Sequence, residues 1–165
     1  ILREVLLGGH AADKGPLAEA CLLTSARREH VELVIRPALQ DNKIVICDRF
    51  ADSTRVYQGM VGGLDKTTVD RLEAVATDGL MPRMTLVLDI DPGVAEARRA
   101  SRQASKGDAD DRFEKQDAAF HQKVAEGFRK LCDANPERCM RVDGSGKARN
   151  VATTIRDALR LRGLV

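Results

Sequence analysis

The chain has 165 residues, 43% of them apolar, so it can bury the core of one ordinary domain. Its 27 basic and 25 acidic side chains nearly balance, which excludes a global field for wrapping nucleic acid or lying on an anionic membrane. Aromatic residues amount to 3%, which disfavours a base-stacking platform for single strands. We therefore expect a single domain over residues 1–165, with local basic sites.

Charge balance, scarce aromatic residues, cysteine usage and hydropathy together predict a cytoplasmic protein without nucleic-acid or membrane partners. The four cysteines form no CxxC pair, and Cys47 lies in an apolar run, which favours reduced thiols. No stretch reaches the roughly 18 apolar residues of a spanning helix, and none resembles a signal peptide. Ile1 already lies in helical periodicity, which indicates that further residues precede it.

Helical periodicity alternates with short apolar runs along the chain. The predicted elements are helices over 16–40, 66–79, 93–104, 116–132 and 150–162, and strands over 44–47, 85–90 and 140–142. Pro37 is expected to kink or split the first helix. The strands end at Asp48, Asp91 and Asp143, and their alternation with helices predicts a doubly wound parallel sheet.

The segment that begins at Asp48-Arg49 carries polar groups where a buried strand ends. Ligands collect at the carboxyl ends of strands in such sheets, so an acid and an arginine there indicate a cation and a phosphate. The side chains of Ser53, Thr54, Tyr57 and Gln58 follow and would suit a polar ligand with a flat ring. A simple salt bridge at the strand end is the alternative for the charged pair.

Two groups of arginines lie on predicted helices. Asp91-Pro92 should start the helix that places Arg98 and Arg102 four residues apart on one face, with Arg99 beside them, where they could contact phosphate. Arg27 and Arg28 are adjacent, so only one of them can face a given site. A solvated helix face is the alternative for both groups.

Several familiar motifs are missing from the sequence. His10, His30 and His121 show no metal-ligand spacing, and no nucleophile elbow appears. The stretch Gly144–Lys147 resembles a phosphate-binding loop only superficially, because Arg141 and Ala148 occupy the positions where that motif needs glycine and Ser or Thr. We interpret it as a turn from a strand into a helix.

Taken together, these residues resemble the bacterial thymidylate kinases. The matching segments, in the family's order, are Leu22-Leu23-x-Ser25-Ala26-x-Arg28, Arg36-Pro37-Ala38-Leu39, Asp48-Arg49-Phe50-x-x-Ser53-Thr54-x-x-Tyr57-Gln58-Gly59, Leu88-Asp89-Ile90-Asp91-Pro92, Asp111-Arg112-Phe113-Glu114 and Val142-Asp143-Gly144. The resemblance implies a P-loop NTPase-like nucleoside monophosphate kinase fold, a parallel sheet flanked by helices. The family's first two strands and its P-loop have no counterpart in this sequence.

The resemblance also implies transfer of the ATP γ-phosphoryl group to thymidine monophosphate, with Mg²⁺, by a homodimer. Arg49 would hold the monophosphate and Asp48 the metal with its waters. The implied substrate-binding residues are Arg28, which would contact thymine, with Ser53, Thr54, Tyr57 and Gln58. In a lid over residues 98–115, Arg99, Arg102 or Arg112 would close on the phosphates, and Ser145 and Gly146 would lie beside adenine.

Departures from the family pattern leave other functions open. Thr24 stands where the family usually has a Phe that stacks on thymine, and Arg27 stands where Asp or Asn is common. The chain by itself should bind ATP phosphates poorly, because it contains no phosphate-binding loop. A kinase for another nucleoside monophosphate is one alternative, and a non-catalytic remnant or assembly module of the same fold is the other.

Overall fold

A computed structural model describes residues 14–106 and 116–165, with side chains for all of them except 102–106. The chain divides into two compact units. The first comprises Ile1–Met81 and Asp111–Gly127, and the second comprises Pro82–Asp110 and Phe128–Val165. The single domain expected from chain length stays a prediction. Within the described ranges, no helix has the length and apolar character to cross a membrane.

Helices build the first unit. They are α1 (Gly15–His30), a π-helical segment (Val31–Ile35), α2 (Arg36–Gln40), α3 (Ala51–Thr54), a second π-helical segment (Arg55–Val61) and α4 (Lys66–Thr77). Buried aliphatic residues from these elements, among them Ala20, Val31, Val56 and Val69, form the core. Because the carboxylate of Asp65 accepts a hydrogen bond from the Thr68 N–H at 2.9 Å, α4 has a capped start.

The expected break at Pro37 takes the form of a π-helical turn. Proline lacks an N–H and cannot continue the α-helical hydrogen bonding of the preceding turn. The chain widens over Val31–Ile35, where the Arg36 N–H bonds to the Val31 carbonyl, and α2 then carries Pro37 in its first turn. The single helix predicted over 16–40 is thus three consecutive helical pieces.

The second unit contains the parallel strands. They are β1 (Thr85–Asp89) and β2 (Cys139–Asp143), which pair from Thr85↔Cys139 to Asp89↔Asp143. Its helices are α5 (Pro92–Lys106), the end of α6 (Ala118–Ala134) and α7 (Ala148–Leu161). The expectation of parallel strands flanked by helices is confirmed here. Because the register is parallel, the carboxyl ends of both strands meet at one edge of the sheet.

The prediction of a strand over Ile44–Cys47 is wrong: in the part of the chain that the structure describes, these residues form none. These residues belong to no sheet, and the side chains of Ile44 and Ile46 are 73% and 92% exposed. A strand exists only where a neighbour pairs with its backbone N–H and C=O groups, and no described segment pairs with this one. Apolar residues alone therefore did not determine the structure here.

Candidate functional site

The turn Asp48-Arg49-Phe50 holds Arg49 in an unusual backbone conformation. Arg49 has φ of +70°, which for a residue with a Cβ costs about 1–2 kcal/mol. The Cys47 thiol donates to the Arg49 carbonyl at 3.2 Å, and the Ser53 N–H donates to the Phe50 carbonyl at 3.1 Å. Backbone strain of this kind concentrates at functional sites, where surrounding contacts maintain it.

The guanidinium of Arg49 is exposed but held in place by Tyr57. Its Nη1 donates to the Tyr57 hydroxyl at 3.0 Å, and its central carbon lies 5.2 Å from the centre of the tyrosine ring. Tyr57 is in turn 6.1 Å from the ring of Phe120. The adjacent Asp48 is exposed. The turn therefore presents a positioned planar cation next to a carboxylate, which suits a phosphate and its counter-cation.

A buried arginine lies next to this turn. The side chain of Arg27 is 9% exposed, and its Nη1 contacts Glu73 Oε1 at 2.6 Å. Its Nη2 donates to the Thr54 hydroxyl at 3.0 Å and to the Phe50 carbonyl at 3.2 Å. The guanidinium also lies 5.5 Å from the centre of the Phe50 ring. Arg27 thus connects α1, the Phe50 turn, α3 and α4.

Burial shifts the pKa values of Arg27 and Glu73, the two members of this ion pair, in opposite directions. It lowers the pKa of Arg27 and raises the pKa of Glu73, while the attraction between them opposes both shifts. A guanidinium does not lose its proton in proteins, and the contact distance is that of a charge-assisted hydrogen bond. Arg27 is therefore a fixed, buried cation whose charge depends on Glu73 for compensation.

Of the two adjacent arginines, the structure brings Arg27 rather than Arg28 against the predicted site residue Thr54. The side chain of Arg28 is 43% exposed and pairs with Glu32 at 3.2 Å and with Asp78 at 3.8 Å. The sequence pattern implied that only one of the pair could face a site, but it did not reveal which one. The phase of α1 decides, because adjacent helical residues point about 100° apart.

The other predicted substrate-binding residues lie at different depths. Ser53 and Tyr57 are half-buried, whereas Thr54 is fully buried. Gln58 is 2% exposed, and its Nε2 donates to Glu19 Oε2 at 3.0 Å. The structure therefore brings Asp48, Arg49, Ser53, Thr54 and Tyr57 into one region of the first unit and places the Gln58 amide in the interior.

The second unit has an ordered loop between β2 and α7, as expected for a turn from a strand into a helix. The Asp143 carboxylate accepts from the Ser145 N–H at 2.8 Å, which lowers the pKa of Asp143. The Ser145 hydroxyl accepts from the Asp91 N–H at 3.0 Å. A Cβ on Gly144 would lie 2.9 Å from Ile90, so this close approach requires glycine. Ser145 and Gly146 are thereby fixed at the carboxyl edge of the sheet.

Asp91 and Arg98 connect α5 to this edge. As predicted, the Asp91 carboxylate caps α5, accepting from the Gly93 and Val94 N–H groups at 2.9 and 3.2 Å. Arg98 was expected on a phosphate-facing helix surface. In the structure its Nη1 donates to the Gly144 carbonyl at 2.8 Å, and its Nη2 donates to the Ser145 and Gly146 carbonyls at 2.8 and 2.9 Å.

Sequence reasoning missed a paired carboxylate at the same edge. Arg129 Nε and Nη2 donate to the two oxygens of Asp89, both at 2.8 Å, and this lowers the pKa of Asp89. Asp89 lies two residues before Asp91, and Arg129 comes from the end of α6. No local pattern joins residues 40 positions apart, so only the folded chain reveals this pair.

The arginines predicted to close on the phosphates are only partly described. Arg99 lies half-buried on α5. Arg102 belongs to the same helix, but its side chain lies outside the described part of the structure, as does the whole of Arg112. Their assignment therefore stays a prediction.

Parallel strands with polar loops at their carboxyl edge, in the second unit, and an arginine positioned beside an aspartate, in the first, are each typical of nucleotide-binding proteins such as the nucleoside monophosphate kinases. Comparisons with known proteins identify the family. The thymidylate kinase family model matches residues 1–155. The chain belongs to the thymidylate kinase family, and the resemblance recognised in its sequence is confirmed.

Individual relatives agree with the family match. The thymidylate kinase of Nitrobacter hamburgensis is 41% identical over 165 residues, which cover all of this chain and 71% of that protein. The thymidylate kinase of Citrifermentans bemidjiense is also 41% identical, over 98% of this chain and 72% of the relative. A crystal structure of thymidylate kinase from Ehrlichia chaffeensis has a TM-score of 0.66 at 29% identity and covers 88% of this chain. The chain spans 65% of that solved protein.

Proposed function

We propose that the protein transfers the γ-phosphoryl group of ATP to thymidine monophosphate, giving thymidine diphosphate for dTTP synthesis. The arrangement of Arg49 carries this proposal. A strained backbone and a hydrogen bond to Tyr57 hold an exposed guanidinium beside Asp48. That fork can bind two oxygens of a monophosphate and stabilise the charge that develops during transfer. Family membership supports the same reaction.

Asp48 is the candidate for holding Mg²⁺. Magnesium keeps several waters and takes only one or two protein carboxylates together with substrate phosphates, so a single exposed carboxylate beside a phosphate-binding arginine fits it. No cluster of three potential metal ligands occurs among the described residues. Bound Mg²⁺ would neutralise phosphate charge, while Arg49 would orient the acceptor oxygen of the monophosphate.

The nucleoside would bind against the residues around Thr54. Ser53, Thr54 and Tyr57 supply hydroxyls there; Arg27 donates to the Thr54 hydroxyl, and Arg49 donates to the Tyr57 hydroxyl, both at 3.0 Å. Arg28 and Gln58 stay predicted substrate contacts, which would require Arg28 to leave its exposed ion pairs. The buried network around Arg27 favours Arg27 as the arginine that fixes the wall of this pocket.

ATP would bind at the second unit. Ser145 and Gly146 lie in an ordered loop, and a Cβ added at Gly146 would meet no atom within 4 Å, which leaves room beside the loop for a base. Arg99, Arg102 and Arg112 are proposed to approach the phosphates from the lid. Arginine is suited to this role because it offers several donors in a rigid plane.

We further propose a cytoplasmic homodimer. Large apolar side chains are exposed on the first unit, including Leu33 at 69% and Val34 at 53%. Exposed aliphatic residues on one helical segment are typical of surfaces that a second copy covers. Sedimentation of the complete protein over a range of concentrations would test this, and a monomer at every concentration would contradict it.

A substrate panel tests the proposed reaction. The complete protein should phosphorylate thymidine monophosphate from ATP and Mg²⁺ with a higher kcat/KM than for the monophosphates of deoxyuridine, uridine, cytidine, adenosine and guanosine. A kinase for another monophosphate is the second candidate. Thr24 supports it, because this residue is buried and its hydroxyl donates to the Ala20 carbonyl at 2.8 Å, so it presents no ring to a base. A different preferred monophosphate would favour that candidate, and no turnover would contradict both.

A further inference from the structure

Arg98 binds extensively to the backbone of the loop between β2 and α7. Its two terminal nitrogens donate to the carbonyl oxygens of Gly144, Ser145 and Gly146, at distances of 2.8, 2.8 and 2.9 Å. The helix that carries Arg98 starts at the same edge, where the Asp91 N–H binds the Ser145 hydroxyl. Helix α5 and the loop are therefore held together by side-chain and backbone hydrogen bonds.

Three consecutive carbonyl groups that point toward one place repel each other unless a cation lies between them. The guanidinium of Arg98 supplies that cation, and its planar fork can reach all three oxygens. The other side of the loop is anchored by Asp143, which accepts from the Ser145 N–H. The carbonyl side of the loop is thus held by a side chain from a different element.

We propose that Arg98 is a positioning residue for ATP: it holds the loop Gly144–Gly146 in the conformation that receives the adenine base. This inference rests on the proposed function, since it assigns the base to the space beside Gly146. That space is open in the structure, whereas Gly144 is buried against Ile90. Arg98 acts through the loop and does not itself contact the transferred phosphoryl group.

The proposal separates Arg98 from its neighbour Arg99. Adjacent residues on a helix point about 100° apart, so binding of Arg98 to the loop directs Arg99 toward other surroundings. Arg98 therefore influences recognition of the base, while Arg99 stays a candidate for contact with phosphate. Comparing ATP with GTP should reveal the role of Arg98 in base recognition, because the two nucleotides differ in their base and have identical phosphates.

The test compares the variants Arg98→Met and Arg98→Lys with the wild type in the complete protein. The control is Arg160→Met, an exposed arginine of the same unit whose side chain is 65% accessible. In Arg98→Met we expect KM for ATP to rise about tenfold, with KM for thymidine monophosphate changed by less than about twofold. The preference for ATP over GTP should fall, and Arg98→Lys should recover part of both effects.

The outcomes distinguish this inference from the proposed function. If the wild type is active but Arg98→Met changes neither KM for ATP nor the ATP preference, Arg98 is not a positioning residue. The same conclusion holds if both KM values rise equally, because that pattern reflects general damage to the fold. If the wild type does not phosphorylate thymidine monophosphate, the proposed function fails. Direct binding of fluorescent ATP to the wild type and to Arg98→Lys then decides the role of Arg98, with equal affinities overturning it.

Discussion

Removing Glu73 should destabilise the protein more than removing Arg27, its partner in the buried ion pair. Both side chains are nearly inaccessible, with 9% exposure for Arg27 and 2% for Glu73. In Glu73→Leu the guanidinium keeps its bonds to Thr54 and Phe50 but has no counter-charge, and it cannot release its proton. An uncompensated buried charge of this kind should lower the free energy of unfolding by about 4 kcal/mol.

The opposite variant has a way to avoid the buried charge. In Arg27→Met the carboxyl of Glu73 can take up a proton, and burial already raises its pKa. We expect a loss of about 2 kcal/mol at neutral pH, the cost of a carboxyl group with poorer hydrogen bonding. An acid whose pKa is raised by folding stabilises the protein fully below its ordinary value of 4.5, and this contribution is lost as pH rises through the raised value. The difference in the free energy of unfolding between the wild type and Arg27→Met should therefore shrink as the pH is lowered toward 4.5.

Chemical denaturation of the complete protein checks both numbers through a double-mutant cycle. The double variant Arg27→Met/Glu73→Leu removes both charges and should recover at least about 2 kcal/mol relative to the sum of the single losses. Arg28→Met serves as the stability control, because its exposed ion pairs should contribute at most about 1 kcal/mol. Additive losses, or a smaller loss for Glu73→Leu than for Arg27→Met, would refute the reasoning.

Three further changes test other parts of the structure. Arg49 has φ of +70°, a conformation that glycine adopts more readily than alanine, so Arg49→Gly should be about 1 kcal/mol more stable than Arg49→Ala. Both variants should lose about 100-fold in kcat/KM, because both remove the guanidinium. Equal stabilities of the two variants would exclude the left-handed backbone. Gly146→Val places a side chain in open space, so the thermal midpoint of unfolding should change by less than about 2 °C. The same side chain would occupy the space proposed for adenine, so KM for ATP should rise about tenfold. An unchanged KM for ATP would place the base elsewhere. Asp89 has a lowered pKa because Arg129 binds it, and an acid of this kind contributes stability above its ordinary value of 3.8 that is lost as pH falls through the lowered value. Denaturation should therefore show Asp89→Asn less stable than the wild type at neutral pH, with the gap closing below that ordinary value, and a gap independent of pH would contradict the assigned cause.

Local patterns predicted most helices and two strands because those elements bury a periodic apolar face of their own. The strands over 85–90 and 140–142 were predicted correctly, and in the structure they pair with each other. The segment Ile44–Cys47 has the same apolar character but does not pair with any described strand. Strand formation depends on a neighbour that can lie anywhere in the chain, whereas a helix forms its backbone hydrogen bonds within itself.

The sequence predicted which residues belong to the candidate site but not which of them contact each other. Asp48, Arg49 and Tyr57 form a local motif, and the structure joins Arg49 by a hydrogen bond to Tyr57, eight residues further along the chain. Arg27, the arginine that the phase of α1 directs inward, finds its partner Glu73 46 residues further along the chain. Likewise, the contacts of Arg98 reach a loop 46 to 48 residues away. Such long-range partners leave no spacing signal in a single sequence.

The π-helical segment Arg55–Val61 makes the candidate site sensitive to changes in chain length. A π-helical turn holds one residue more than an α-helical turn, because its hydrogen bonds span five residues instead of four. Deleting one residue there would convert the wide turn into an ordinary one, because the wide turn is what accommodates the additional residue. The residues outside the segment would keep their direction, whereas Tyr57, which contacts Arg49, and Gln58, which points into the interior, would change theirs without any change in side-chain chemistry. Homologous chains that differ by one residue here would therefore differ in the direction of these two side chains.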